Sequence, residues 1–197
     1  MIEKKFIEMK KNEYTIKEFI KQELGKGKIS SVKIERTPIG ERIILFTSRP
    51  GVIIGRKGES IQKLTDVLKK QFKMENPKIE IAEIEKVDFD AQTIADQIAL
   101  SLERFGSSSF KIISYKFMER IKRAGALGAE IILSGKLPSA KARSWRFTFG
   151  YLNKTGDPAI KLVNRAKAVA KTKPGIIGIK VAIMPADAKM MDKITIN

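Results

Sequence analysis

Two kinds of residue grouping in this chain could do chemistry, and both would act on anions. The first is Gly55-Arg56-Lys57-Gly58. Glycines let backbone approach backbone closely, because no Cβ stands between them. The N–H groups that open a following helix attract phosphate, and Arg56 and Lys57 put two positive charges at the tip. Such a turn can clamp a nucleic-acid backbone beside a groove. Gly125–Gly128 and Gly175–Gly178 repeat the spacing without charge, and read as a helix stop and a turn into a strand. A P-loop is excluded at residue 55, since no Gly-Lys-Ser/Thr follows at the required spacing.

The second grouping is cationic. Lys116, Arg120 and Arg123 follow i, i+4, i+7 spacing, on a helix face apart from Phe110, Ile113, Phe117 and Ile121. Lys111 and Lys122 widen that surface, and Glu119 is its one acid. Lys161, Arg165, Lys167, Lys171 and Lys173 fall on one side of a strand expected over Ile160–Lys171, with Ile160, Leu162, Ala166, Ala168 and Ala170 on the other. Lys141, Arg143 and Arg146 make a third cluster beside Trp145, Phe147, Phe149 and Tyr151. Alternating aromatics suit base stacking, although the core face of a strand is their commoner use.

The elements that must position these residues are legible in outline. Thr15 and Glu18 have capping-box spacing, with Tyr14 and Phe19 as a staple, ahead of a helix that Gly25 stops. A shorter amphipathic piece with Ile2, Phe6 and Met9 precedes it. Ile29–Arg36 and Arg42–Thr47 read as strands joined at Pro38-Ile39-Gly40. After the glycine turn a helix runs to Phe72, with Ile61, Leu64, Leu68 and Phe72 in one stripe. Asn76-Pro77 ends it, and Lys78–Ile84 alternates as a strand. Residues 85–90 look like a boundary, dividing the chain into 1–85 and 86–197. Asp90 then caps a helix with Ile94, Ile98, Leu102 and Phe105, closed by Gly106. A second helix from Phe110 ends at Gly125. Strands follow over Ala129–Leu133, Trp145–Tyr151, Ile160–Lys171 and Ile176–Met184, and a loose tail starts at Pro185. The pattern is α+β twice.

Composition narrows the function. The 197 residues hold 39 Lys and Arg against 22 Asp and Glu, a net of +17. Folding alone does not call for that excess, because like charges repel in the compact state, so a polyanionic partner is implied. Residues 1–85 carry +6 and residues 86–197 carry +11, so the second half supplies most of the field. With no Cys and no His, structural zinc sites, thiol nucleophiles and Ser-His-Asp arrangements are excluded. The acids of the basic region, Glu119, Glu130 and Asp157, are scattered and form no convincing metal pair. An enzyme is not expected, nor a cofactor or a metal. No apolar run approaches the roughly 18–20 residues of a membrane span, and Met1-Ile2-Glu3-Lys4-Lys5 leads into no signal-like stretch. A cytoplasmic protein with no membrane partner is expected.

Val52-Ile53-Ile54-Gly55-Arg56-Lys57-Gly58-Glu59-Ser60-Ile61 resembles the signature of the KH domain, whose GXXG loop clamps about four nucleotides. The order of elements around it resembles the type II form. The second half resembles the small-subunit ribosomal protein three family, in its archaeal-type form. Gly128-Ala129-Glu130-Ile131-Ile132-Leu133-Ser134-Gly135-Lys136-Leu137, Lys141-Ala142-Arg143-Ser144-Trp145-Arg146-Phe147, Gly156-Asp157-Pro158 and Gly175-Ile176-Ile177-Gly178-Ile179-Lys180-Val181 carry that resemblance. It covers about Tyr14 to Met184. The resemblance implies a type II KH domain followed by a second α+β domain, with helices packed on a mostly antiparallel sheet. It implies a place in the head of the small subunit, on small-subunit ribosomal RNA and neighbouring head proteins, beside mRNA where it enters. In some members basic residues at the start of the second domain's helix help unwind mRNA. That face would begin at Lys111 and run through Lys116 and Arg120, and Ile112 stands where the family often has a second arginine. The rival expectation is a free-standing KH regulator of single-stranded RNA, which would need little of the second half's charge.

Overall fold

The computed structural model describes residues 2–37, 40–72, 74 and 77–188. The Pro38-Ile39 turn, the helix end at Asn76 and most of the tail expected from Pro185 lie outside these residues. The chain forms two compact units, residues 1–85 and 86–197.

In the first unit, α1 (Ile2–Leu24) precedes β1 (Ser31–Thr37) and β2 (Gly40–Thr47). A short α2 (Pro50–Ile54) and α3 (Glu59–Phe72) follow, then β3 (Lys78–Glu83). The sheet order is β1–β2–β3, with β1 antiparallel and β3 parallel to β2. Parallel neighbours need a crossover, and α2 with α3 provides it. Strand alternation sends Val32, Ile43 and Leu45 into a core shared with Ile16, Ile20, Ile53, Leu64 and Leu68. Phe19 meets Phe72 edge-on, ring centroids 5.5 Å apart.

The start of α1 differs from expectation. Thr15 does not cap a helix. Its hydroxyl donates to the Lys11 carbonyl at 2.9 Å, the back-bond of a mid-helix threonine. The two expected pieces are one helix, because Lys, Glu and Met between residues 3 and 13 are good helix formers and nothing there breaks the pattern.

The outer face of this first sheet interleaves its charges. Lys33 pairs with Glu35 at 2.7 Å, Arg42 binds Glu80, and Lys78 reaches Glu80 at 3.3 Å. Hydrogen bonds from Lys33 and Arg42 hold the Glu35 and Glu80 carboxyls below the usual carboxylate range. A carboxyl whose folded pKa lies below its unfolded one stabilises the fold above the unfolded value. It loses that contribution as pH falls through the folded value. Thermal unfolding from pH 6 to pH 3 should therefore show a smaller fall in midpoint for Glu80→Gln than for the parent. An equal fall would show that the Arg42 pair adds nothing.

In the second unit, α4 (Ala91–Phe105) is capped as expected: the Asp90 carboxylate accepts from the Thr93 N–H at 2.9 Å. Next come α5 (Phe110–Arg123), β4 (Gly128–Lys136), β5 (Ala142–Gly150), α6 (Gly156–Lys161), β6 (Asn164–Thr172) and β7 (Gly175–Met184). The four strands form one antiparallel sheet in the order β5–β4–β7–β6. Helices α4 and α5 share a single core with its inner face, through Ile131, Leu133, Phe147, Ile179 and Val181. Ala91, Ala95 and Ala99 on α4 recur at i, i+4 spacing, and the helix contacts β6, whose inward residues are Ala166, Ala168 and Ala170. Small residues on both sides let helix and strand lie close. Phe105 departs from the expected stripe and is 60% exposed. The fold is a KH domain followed by an α+β domain with helices on an antiparallel sheet. Among the described residues no helix is long and apolar enough to cross a membrane.

Candidate nucleic-acid interface

The glycine turn sits between two helices. Val52-Ile53-Ile54 makes up most of α2, started by Pro50 at its first turn. Gly55 has φ +72° and ψ −174°, and Arg56–Gly58 makes one 3-10 turn before α3. Lys57, at φ +53°, is the one non-glycine with positive φ among the described residues. Arg56 and Lys57 are exposed, and among the described residues neither is engaged in an ion pair. Ile53 is fully buried while Val52 and Ile54 face solvent. The turn therefore presents two exposed cations beside apolar surface.

Gly55 is needed twice over. Its φ and ψ belong to a region that side chains avoid, and a Cβ there would stand 2.3 Å from the Ser60 hydroxyl oxygen. Gly55→Ala should destabilise the first unit by about 1–3 kcal/mol, read as a lower midpoint in urea. Gly58 needs its glycine for φ +79° alone, with open space around its Cβ direction.

On α5, Phe110, Ile113, Met118 and Ile121 face the core, so the basic residues are exposed as expected. They are not equivalent. Lys116 is free. Arg120 is held by the second unit itself: its guanidinium donates to Asp88 at 2.6 Å and to Gln97 at 3.0 Å. Arg123 pairs with Glu119 at 2.6 Å. The Lys111 ammonium stands 4.9 Å from the Trp145 ring centre, a cation–π contact, and Lys122 stands 5.8 Å from that of Phe149. Sequence spacing places these cations on one face, but Asp88, from a segment 32 residues earlier, already neutralises one of them.

The expected strand over Ile160–Lys171 is in fact two elements. Residues Gly156–Lys161 are helix α6, and β6 begins at Asn164. Lys161 lies on α6, paired with Asp157 at 2.7 Å, and Ile160 beside it is 80% exposed. Pro158 at the helix start and the i, i+4 Asp157–Lys161 pair favour that turn of helix over extended chain. Lys173 lies in the β6–β7 turn. Arg165, Lys167 and Lys171 keep the predicted face, opposite the buried alanines. The third cluster also divides. Arg146 points to the outer face, whereas Arg143 shares the parity of Trp145 and Phe147 on the other, and Lys141 is in the β4–β5 loop. The aromatics are core: Phe110 packs against Trp145 and Phe147, ring centroids 5.3 and 6.5 Å apart, and only Tyr151, past the strand end, is exposed.

Cross-strand register brings together what the sequence had kept apart. Arg146 on β5 pairs with Ile132 on β4, Ile132 with Lys180 on β7, and Lys180 with Lys167 on β6. One row crosses the whole sheet on the face opposite α4 and α5. Beside it, Glu130 is only 13% exposed and holds Arg146 at 3.1 Å and Lys154 at 3.6 Å. A depression of about 610 Å³ opens there, lined among others by Glu130, Ile132, Leu152, Lys154, Lys167 and Lys180. Sequence reasoning missed Lys180 and Lys154. The alternation Gly178, Lys180, Ala182 within an apolar strand was the available signal for Lys180. Lys154 sits in a loop with no periodicity.

A helix-flanked GXXG turn on a three-stranded sheet, joined to a cationic α+β unit, defines a two-domain KH protein. The KH domain family model matches residues 15–90, and that of the ribosomal protein S3 C-terminal domain matches residues 98–183. Small ribosomal subunit protein uS3 of Methanocaldococcus jannaschii is 41% identical over 197 residues, spanning all of this chain and 94% of that protein. Those of Archaeoglobus fulgidus and Methanococcus maripaludis are 40% and 38% identical over 196 residues, with 84% and 92% of their lengths covered. The chain belongs to the uS3 family of small ribosomal subunit proteins.

Proposed function

We propose that this protein is a structural constituent of the small ribosomal subunit in the cytoplasm, and that it works by non-covalent binding of ribosomal RNA. Residues 1–85 act as the KH module and residues 86–197 supply most of the cationic field. The contacts are made by Arg56 and Lys57, with Gly55 and Gly58 shaping the turn, and by Lys111, Lys116, Arg146, Arg165, Lys167 and Lys171. Arg123, Lys141, Arg143, Lys161 and Lys173 are peripheral, and Arg120 acts mainly by bracing α5. We assign mRNA where it enters the subunit, and neighbouring head proteins, as further partners. The observation that carries this reading is the exposed cationic sheet face of the second unit, in a chain of the uS3 family. Lys and Arg on that face neutralise phosphates and release counterions, so affinity falls steeply with salt.

The test is gradient sedimentation of the tagged protein in extract of its own cells, at low and moderate magnesium. Co-migration with the small subunit after the two subunits separate is expected. Recovery at the top of the gradient on short RNAs would replace this reading with that of a free-standing KH regulator.

A further inference from the structure

We propose that the sheet face of the second unit opposite α4 and α5 is a platform for the sugar–phosphate backbone of helical RNA, a different class of ligand from the single strand that suits the GXXG turn. This rests on the RNA-binding reading above and specifies which form of RNA that face takes.

The cations lie on a grid, not along a line. Neighbouring strands are about 4.8 Å apart, so the row from Arg146 through Lys180 to Lys167 spans roughly 14 Å across the sheet. Along β6, Arg165 lies about 7 Å from Lys167, and Lys171 about 13 Å away on its other side. A single strand offers one backbone to follow, whereas a duplex offers two across a wide, shallow minor groove.

The face also lacks what single strands use. Splayed bases are held by stacking on aromatic rings. Among the described residues, the strand aromatics Trp145, Phe147 and Phe149 all belong to the opposite face and pack against the core. The positions between and beside the outer cations are Ile132, Gly178, Ala182, Ser144, Thr148, Val169 and Ile176, none of them aromatic. Exposed Ser144 and Thr148 hydroxyls suit sugar and phosphate oxygens.

The charge arrangement is costly without a polyanion. Lys167 and Lys180 stand directly opposite each other, a like-charge pair that weakens a sheet. The one acid on this face among the described residues, Glu130, is occupied by Arg146 and Lys154. The first unit's sheet handles an exposed face differently, alternating Lys33, Glu35, Arg42, Glu80 and Lys78 in ion pairs. One chain thus holds both a charged face of paired residues and a face on which Arg165, Lys167, Lys171 and Lys180 have no ion pair among the described residues.

The experiment compares the full-length protein with a Lys167→Thr/Lys180→Thr variant, threonine being a good strand residue. Binding to a 20-base-pair RNA duplex and to a 20-nucleotide oligouridine is measured from low to moderate KCl. Duplex affinity should fall about 10–30-fold near 0.15 M salt, and the slope of log K against log salt should shrink by about 2. Oligouridine affinity should stay within about twofold, since the GXXG turn is untouched. The variant's thermal midpoint should rise by about 1–3 °C as the lysine repulsion is removed. Unchanged duplex binding, or equal loss on both probes, overturns the proposal. So does a lowered midpoint with loss of both probes, which would mark the lysines as structural. Unchanged duplex binding in a variant that still co-sediments with the small subunit would sink this inference alone. Failure of the parent to co-sediment would instead sink the ribosomal reading.

Discussion

Replacing Phe110 by alanine is expected to cost about 3–5 kcal/mol of stability in residues 86–197. Phe110 is 2% exposed at the first residue of α5. Its ring lies 5.3 Å from Trp145 and 6.5 Å from Phe147, so it joins the helix to β5. Those neighbours are rings on a strand fixed along its length to β4, and they cannot move inward to fill the space. The loss therefore combines transfer energy with a cavity that stays open. Trp145 is the one tryptophan of the chain, so its fluorescence reports this unit's unfolding. The urea midpoint should drop by about 1–3 M. Phe110→Leu should drop it less. A shift too small to resolve would mean that the aromatic cluster is not the joint between α5 and the sheet.

Reversing the two charges of the glycine turn, Arg56→Asp/Lys57→Asp, should weaken single-stranded RNA binding about 10–100-fold near 0.15 M salt while leaving stability unchanged. Removing two phosphate contacts accounts for about tenfold, since each contributes about 0.7 to the salt slope for a single strand. Repulsion from the new carboxylates adds the rest. Stability is spared because both side chains are exposed and have no ion pair among the described residues. The left-handed backbone at Lys57, φ +53°, also suits aspartate better than most residues. Anisotropy titration with oligouridine, paired with thermal unfolding, checks both halves. Unaltered affinity would remove the GXXG turn from the interface.

What the sequence made legible was local. Asp90 capping α4, Gly106 and Gly125 closing helices, and the alternation of Ala166, Ala168 and Ala170 all hold in the structure. Each depends on interactions a few residues long. Where a local signal had a local competitor, the reading failed. Thr15 looks like a cap but back-bonds to Lys11, because the preceding residues are helix formers too. Lys161 alternates with Arg165 as on a strand, but Pro158 and Asp157 turn that segment into α6.

Single-chain chemistry thus determined, by itself, that this protein is basic, free of thiol and imidazole, organised as α+β twice, and equipped with a charged GXXG turn. Tertiary structure alone decided which cations meet. Arg146, Lys167 and Lys180 are 13 to 34 residues apart, and no local periodicity relates them. Only the order β5–β4–β7–β6 and its register set them in one row. The same packing withdrew Arg120 to Asp88 and Trp145 to the core. Backbone hydrogen bonding and burial select strand order and register for the whole sheet at once, so the surface charge pattern follows from contacts that no short stretch of chain contains.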